Sequence, residues 1–322
     1  MNAAEIRQVR VKGMRYEADG ICSVELVPLA PEASLAPFTA GAHIDLHLPG
    51  GPVRSYSLLN RQGDASRYVI GVHQSPQSRG GSRYVHAAMR PGDVIAIAGP
   101  RNHFALDEGA AHSVFIAGGI GITPLLSMMR RLNELWRPWE LHYAVRTRRQ
   151  AGFLDEVREL SAADGVKASV TFDGEPGGAM LDISRIVSQA PQGAHFYCCG
   201  PTGMLAAFEA ATAHLPPERV HTEYFAPKEQ ADTSGGFEVR CARSAKTFAV
   251  RPGQTLLSAL LDQGVQVSYA CEEGICGTCE VKVLEGDPDH RDSVLTQQEK
   301  DEGKTMMVCC SGSKSGVLVL DL

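Results

Sequence analysis

Four cysteines in the last quarter of the chain constrain its fold more than any other feature. They stand at Cys271, Cys276, Cys279 and Cys309, with Glu272-Glu273-Gly274-Ile275 and Gly277-Thr278 filling the gaps between the first three. On an α-helix, offsets of 5 and 8 residues would turn the later thiols by about 140° and about 80° from the first, so winding would scatter them. The segment must be a loop wrapped around something. Gly274 and Gly277 suit that, because they let backbone N–H groups approach the enclosed group with no Cβ in the way. The pattern C-x4-C-x2-C with a distant fourth Cys is the spacing that holds a [2Fe–2S] cluster. Structural zinc is the alternative, although such sites bring paired C-x2-C knuckles from two places. Cys310 adjoins Cys309. On a strand over 306–309 neighbouring side chains face opposite ways, so Cys309 is taken as the ligand and Cys310 as a core or neighbouring thiol. Cys22 and Cys241 read as small buried hydrophobes.

The rest of the chain is far larger than one cluster module. With 322 residues it should hold two or three domains of roughly 100 to 200 residues each. Hydrophobic residues make up 43% and charged residues 21%, which allows each domain a core and excludes wholesale disorder. Nine cysteines is an odd number, which argues against a secreted disulfide framework and for a reducing compartment. The most apolar stretch, 114–129, is shorter than the roughly 18 residues of a spanning helix, and Gly118, Gly119, Gly121 and Pro124 interrupt it. No membrane span is expected. The opening Met-Asn-Ala-Ala-Glu-Ile-Arg lacks a leader pattern, so a cytoplasmic location is expected. A net charge of −6 gives no basic footprint for nucleic acid. Residues 237–322 carry 9 Lys and Arg against 13 Asp and Glu, making the C-terminal end acidic.

Pattern divides the chain into three. Up to residue 104, short strand-like runs (21–29, 42–48, 54–60, 67–75, 93–98) alternate with Gly/Pro turns, as in a small antiparallel barrel. From 105 to 226, β-like runs at 113–117, 140–145, 166–172 and 194–199 alternate with helical ones, as in a parallel sheet with crossover helices. Residues 227–236 are polar and small, and read as a linker. Residues 237–322 offer strands at 237–243, 247–250, 280–284, 306–309 and 317–320 and a helix at 255–263.

Two of these blocks carry ligand-binding signals. In Arg54-Ser55-Tyr56-Ser57, strand alternation puts Arg54 and Tyr56 on one face, where a guanidinium and a ring could meet one ligand; an exposed barrel strand would look the same. Arg79-Gly80-Gly81-Ser82 could cradle a phosphate through backbone N–H groups, or be a turn. Ala117-Gly118-Gly119-Ile120-Gly121-Ile122-Thr123-Pro124 follows an apolar strand and opens a helix with Thr123 as N-cap and Pro124 as first residue, a setting for a pyrophosphate. Pro124 stands where the dinucleotide fingerprint has its last glycine, so the motif alone does not specify NAD. Another strand ends at Cys198-Cys199-Gly200-Pro201, and ligands of open parallel sheets bind outside such carboxyl ends.

Taken in this order, with Pro100-Arg101-Asn102 and Asp289-His290-Arg291-Asp292, these motifs make essentially the whole chain resemble the phthalate dioxygenase reductase family. These are class IA reductases of Rieske-type oxygenases within the ferredoxin–NADP reductase superfamily. The resemblance implies an antiparallel β-barrel flavin domain over 1–104 and a parallel α/β nucleotide-binding domain over 105–226. It further implies a linker over 227–236 and a C-terminal β-grasp plant-type ferredoxin domain over 237–322. It implies that Arg54, Tyr56, Ser57, Gly81 and Ser82 bind FMN, with Ser57 near the reactive flavin edge and Thr123 touching the flavin from the nucleotide domain. Gly119 and Gly121 would bind the pyridine nucleotide, with Cys199 and Gly200 near the nicotinamide. Phe225 would cover the isoalloxazine; core packing is its other reading.

The activity implied is electron transfer from NADH to FMN, then singly to the [2Fe–2S] cluster and on to a terminal oxygenase, of Rieske type in that family's pattern. No side chain is needed as acid or base, because the cofactors carry the chemistry and the protein positions them. A non-Rieske monooxygenase as partner, or a non-catalytic zinc-binding regulator on the same scaffold, are the alternatives. Arg146-Thr147-Arg148-Arg149 follows a β-like run where an adenosine ribose would lie, and guanidinium groups suit a 2′-phosphate, so NADPH stays open beside NADH.

Overall fold

The computed structural model describes residues 6–76 and 78–322. Residues 1–5, which supply most of the N-terminal leader reading, lie outside the described residues. The described residues divide into two compact units, one ending at residue 225 and the other spanning residues 226–322.

The larger unit opens with β1 (Arg7–Ala18), β2 (Ile21–Pro28), β3 (His43–His47), β4 (Val53–Ser57), β5 (Tyr68–His73), α1 (Gly81–Ala87) and β6 (Val94–Arg101). The six strands pair antiparallel in the order β4-β3-β6-β1-β2-β5. A bridge between Leu58 and Ile70 then joins the two edges. The barrel is closed, which removes the exposed edges an open sheet would leave. Alternate residues such as Val9, Val11, Val24, Leu26, Ile44 and Leu46 fill its interior. β1 escapes the sequence pattern because its pairing with β2 shifts between Val11 and Gly13 and again between Tyr16 and Ala18, which breaks the two-residue period.

The same unit continues with β7 (Ser113–Gly118), α2 (Ile122–Glu134), β8 (Trp139–Val145), α3 (Leu154–Leu160), β9 (Lys167–Phe172), α4 (Ile183–Gln189), β10 (His195–Cys199), α5 (Thr202–Thr212) and β11 (Val220–Glu223). All neighbours in the order β11-β10-β7-β8-β9 are parallel. The order reverses between β7 and β10, so a crevice for a ligand opens at their carboxyl ends. One hydrophobic core runs from the barrel (Ile21, Ala40, Leu59) into the sheet, α2 and the start of α3 (Phe115, Leu125, Phe153), which is why the two layers form one unit. Each fully buried Leu or Met of α2 contributes roughly 1.5–3 kcal/mol to that join. α2 also starts differently from expectation. A 3₁₀ turn over Gly119–Gly121 runs straight into it, and Thr123, expected as the N-cap, lies inside the first turn with its hydroxyl donating to the Ile120 carbonyl at 2.9 Å.

The smaller unit holds β12 (Phe237–Cys241), β13 (Lys246–Val250), α6 (Leu256–Asp262), β14 (Glu280–Glu285), β15 (Pro288–Asp289), α7 (Gln297–Glu302), β16 (Thr305–Met307), β17 (Gly312–Ser313) and β18 (Val317–Leu320). The mixed sheet β13-β12-β18-β14-β16 packs on α6, whose Thr255 cap accepts from the Ser258 N–H at 3.1 Å. Antiparallel β12–β13 beside a parallel β12–β18 pair, with a helix across the face, is the β-grasp arrangement. β16 ends at Met307, so Cys309 and Cys310 sit in a turn rather than on the expected strand. Within the linker expected over 227–236, Asp232 is buried, near the middle of the stretch.

Candidate functional site

Three groups of sequence-selected residues come together in the larger unit. The first is the expected phosphate cradle. Arg54 lies along Gly81 so closely that a Cβ there would meet its Cγ at 2.6 Å, and its guanidinium donates to the Arg79 carbonyl at 3.3 Å. The segment Arg79–Ser82 is therefore not a free turn: α1 begins at Gly81, and Ser82 Oγ accepts from the Ser75 N–H at 3.2 Å. The Arg54 side chain thus lies against the glycine turn that opens α1, and a guanidinium in that place suits a phosphate. Tyr56 is packed against the barrel core, and burial pushes its phenol up to about 12, so it stays neutral.

The second group is the floor of the crevice. A Cβ on Gly121 would sit 2.2 Å from the Cys199 carbonyl oxygen, and one on Gly200 would sit 3.1 Å from Gly118 Cα. The Gly-rich turn after β7 and the turn after β10 therefore touch backbone to backbone, and only glycine allows it. Gly119 has φ +52° with open space above it.

The third group lies where the barrel meets the sheet. Ser57, buried at the end of β4, donates to Glu223 Oε2 at 3.4 Å, and Cys199 Sγ lies 4.0 Å from the same oxygen. Glu223 is opposite Cys199 in the parallel β10–β11 register. Desolvation raises Glu223 to about 8, with the Ser57 hydrogen bond working against it. Burial also pushes the Cys199 thiol well above its ordinary value. Sequence reasoning selected Ser57 and Cys199 but missed Glu223. The available signal was a carboxylate closing a short β-like run, Val220-His221-Thr222, at the edge where parallel sheets bind ligands. Phe225, two positions after Glu223, is 38% exposed, so core packing is not its role.

This carboxyl has a measurable signature. It is protonated in the fold up to about pH 8 and ionised in the unfolded chain above its ordinary value of 4.5. Between those values the folded state binds the extra proton, so this group makes stability fall as pH rises. Glu223→Gln should remove that slope. Denaturant melts of both proteins at about pH 5, 7 and 9 should show the variant gaining on wild type up to about pH 8 and then holding level. Parallel curves would refute the assignment.

The Arg146–Arg149 run turns out to be engaged. Arg149 pairs with Asp19 of the barrel at 2.9 Å, the Arg148 guanidinium lies 4.5 Å over the Phe172 ring, and Arg146 is 3.8 Å from Asp173.

In the smaller unit the four selected cysteines are buried and brought together. Cys271 is in thiol contact with Cys276 and Cys309, and Cys279 with Cys309. Three ligands from one nine-residue loop and a single distant fourth suit a [2Fe–2S] cluster better than the paired knuckles of structural zinc. The loop fits such a group: Glu273 N–H donates to Cys271 Sγ at 3.3 Å, and Gly274 and Gly277 take φ +70° and +72°. Cys310 Sγ bonds to main chain of its own turn and packs on the backbone of the loop. It donates to the Met307 carbonyl at 3.7 Å and lies 2.5 Å from where a Cβ on Gly274 would be.

Comparison with known proteins agrees with both halves. Residues 115–210 match an oxidoreductase NAD-binding domain, and residues 239–313 match a 2Fe-2S iron-sulfur cluster binding domain. The chain is 54% identical to the phenoxybenzoate dioxygenase subunit beta of Ectopseudomonas oleovorans, over 98% of this chain and 97% of that one. It also superposes on phthalate dioxygenase reductase with a TM-score of 0.71 and 35% identity, covering 98% of both chains. The chain belongs to the phthalate dioxygenase reductase family. As a family member it is an oxidoreductase using FMN, a [2Fe–2S] cluster and NADH, and it serves an oxygenase system as electron-transfer component. The same fold, at a TM-score of 0.87 and 37% identity, forms part of an intact type IV self-sufficient cytochrome P450 monooxygenase, covering 98% of this chain and 41% of that one. Among the described residues no helix of this reductase-family chain is long and apolar enough to cross a membrane.

Proposed function

We propose that the chain is the reductase component of a Rieske-type oxygenase system, with the divisions 1–104 for flavin, 105–226 for nucleotide and 237–322 for the cluster. When bound, FMN takes a hydride from NADH and releases electrons singly to the cluster. The observation that carries this reading is the meeting of Ser57, Cys199 and Glu223 at the carboxyl edge of the sheet, where the barrel abuts the nucleotide crevice.

In this reading Arg54, Gly81 and Ser82 hold the flavin phosphate, while Tyr56 and Ser57 line the ring. Thr123 supports the flavin from the start of α2, and Gly119 and Gly121 leave room for the pyridine nucleotide. Cys199 and Gly200 border the nicotinamide, and Phe225, exposed at the end of the unit, covers the flavin until coenzyme displaces it. Glu223, neutral at pH 7, can hold a hydrogen bond beside Ser57 without placing a negative charge next to a hydride donor. Cys271, Cys276, Cys279 and Cys309 ligate the cluster. Plant-type clusters lie near −400 mV and Rieske centres at roughly −150 to +300 mV, so delivery is downhill by several tenfold steps at about 59 mV each.

The test is anaerobic: NADH should bleach the visible flavin and iron–sulfur bands, and the reduced protein should then reduce a purified Rieske oxygenase. The P450 resemblance supports a second reading, delivery to a haem monooxygenase. Reduction of a haem partner with no reduction of any Rieske oxygenase would select it. The acidic cluster unit further implies docking to a basic surface. Reduction of the partner should slow by about tenfold between low and high salt, measured by stopped flow; a flat salt dependence would rule charge docking out.

A further inference from the structure

Seven residues before the matched cluster domain, Asp232 is buried, although it lies in a stretch whose composition reads as linker. Its backbone N–H donates to the Cys310 carbonyl at 2.7 Å. Its carboxylate lies over Gly312, where a Cβ would be 1.9 Å from Oδ2, so it occupies the space a side chain at 312 would fill. Its Oδ1 accepts from the Ser234 N–H at 3.1 Å and lies 3.6 Å from the Arg291 guanidinium. Arg291 in turn holds Asp289 at 2.8 Å, and its own N–H donates to Ser311 Oγ at 3.3 Å. The turn that carries Cys309 is thus gripped from outside at residues 310, 311 and 312. Asp292, next to Arg291, meets the cysteine loop, with its Cα 3.1 Å from a Cβ position on Gly274, and the Ser293 N–H donates to the Gly274 carbonyl at 2.9 Å. Residues 289–293 therefore bridge the loop bearing three thiols and the turn bearing the fourth, and Asp232 clamps that bridge to the turn.

We propose that Asp232 is a positioning residue for the [2Fe–2S] cluster, holding the Cys309 turn at its proper distance from the Cys271–Cys279 loop. The proposal rests on the ligand assignment above and goes beyond it, because it places part of the cluster's support outside the matched domain. A carboxylate suits the role because one planar group must accept from Ser234, face Arg291 and fit the volume above Gly312.

The test uses the full-length holoprotein with Asp232→Ala, Asp232→Asn and Gly312→Ala. Loss of outer support around a metal site typically costs 10- to 100-fold in metal retention. Asp232→Ala and Gly312→Ala should therefore lose the cluster to a chelator about tenfold faster and shift the electron paramagnetic resonance line shape of the reduced cluster. Asp232→Asn, which keeps the shape and the acceptor oxygen, should stay within about twofold of wild type with an unshifted signal. NADH reduction of the flavin should be unchanged in all three. Wild-type line shape and chelator half-life in Asp232→Ala would overturn the proposal, as would an Asn variant as labile as the Ala variant. A wild-type protein lacking iron and sulfide would instead sink the ligand assignment itself.

Discussion

Replacing Cys309 by serine is expected to strip the protein of cluster iron and labile sulfide while leaving FMN bound and reducible by NADH. Cys309 is in thiol contact with both Cys271 and Cys279, so its loss removes the one side chain that joins the turn to both ends of the loop. The residues proposed to bind the flavin all lie in the other compact unit and should not register the change. Turnover with a one-electron acceptor that takes its electrons from the cluster should fall by at least about a hundredfold, since the cofactor that carries the electron is gone. Cys310→Ser is the matched control. Its sulfur bonds to the Met307 carbonyl, so cluster content should stay at the wild-type level. Iron and sulfide assays on anaerobically purified protein decide the matter. The reverse result, cluster kept in Cys309→Ser and lost in Cys310→Ser, would reassign the ligand.

Gly121→Ala is expected to cripple hydride transfer without expelling the flavin. The added methyl would lie 2.2 Å from the Cys199 carbonyl oxygen and 2.5 Å from its carbon, both main-chain atoms that cannot swing aside. The two turns must separate, at a cost in folding of about 1–3 kcal/mol by analogy with overpacked cores. Displacements near 1 Å in a hydride-transfer geometry cost on the order of a hundredfold, and kcat/KM for NADH should fall by about that much. Arg54, Tyr56 and Gly81 are untouched, so flavin content should hold. Stopped-flow reduction with varied NADH, beside a flavin assay, checks both parts. Wild-type kinetics would show that the contact between the turns is not maintained in solution.

These outcomes also mark what could be read from the chain alone. The cluster loop was legible because its ligands are local: three thiols and two glycines within nine positions admit few geometries. The crevice turns were legible for the same reason. Glu223 was not, since its importance comes from the β10–β11 register and from Ser57, 166 positions away in the chain. Thr123 was found but its local role was misjudged, because a helix cap and a residue just after a 3₁₀ turn share the same sequence signature. The Cys309–Cys310 ambiguity needed the real end of β16, and burial of Asp232 runs against the polar composition around it.

The contact between the glycine turns has an evolutionary consequence. A surface made from main chain offers mutation little to edit short of breaking it, so under the reading proposed above adaptation to a different nucleotide would proceed at the periphery, through Arg146, Arg148 and Asp173 beyond the ends of β8 and β9. Descendants of such a scaffold could vary along that rim while inheriting the same main-chain contact between the two turns.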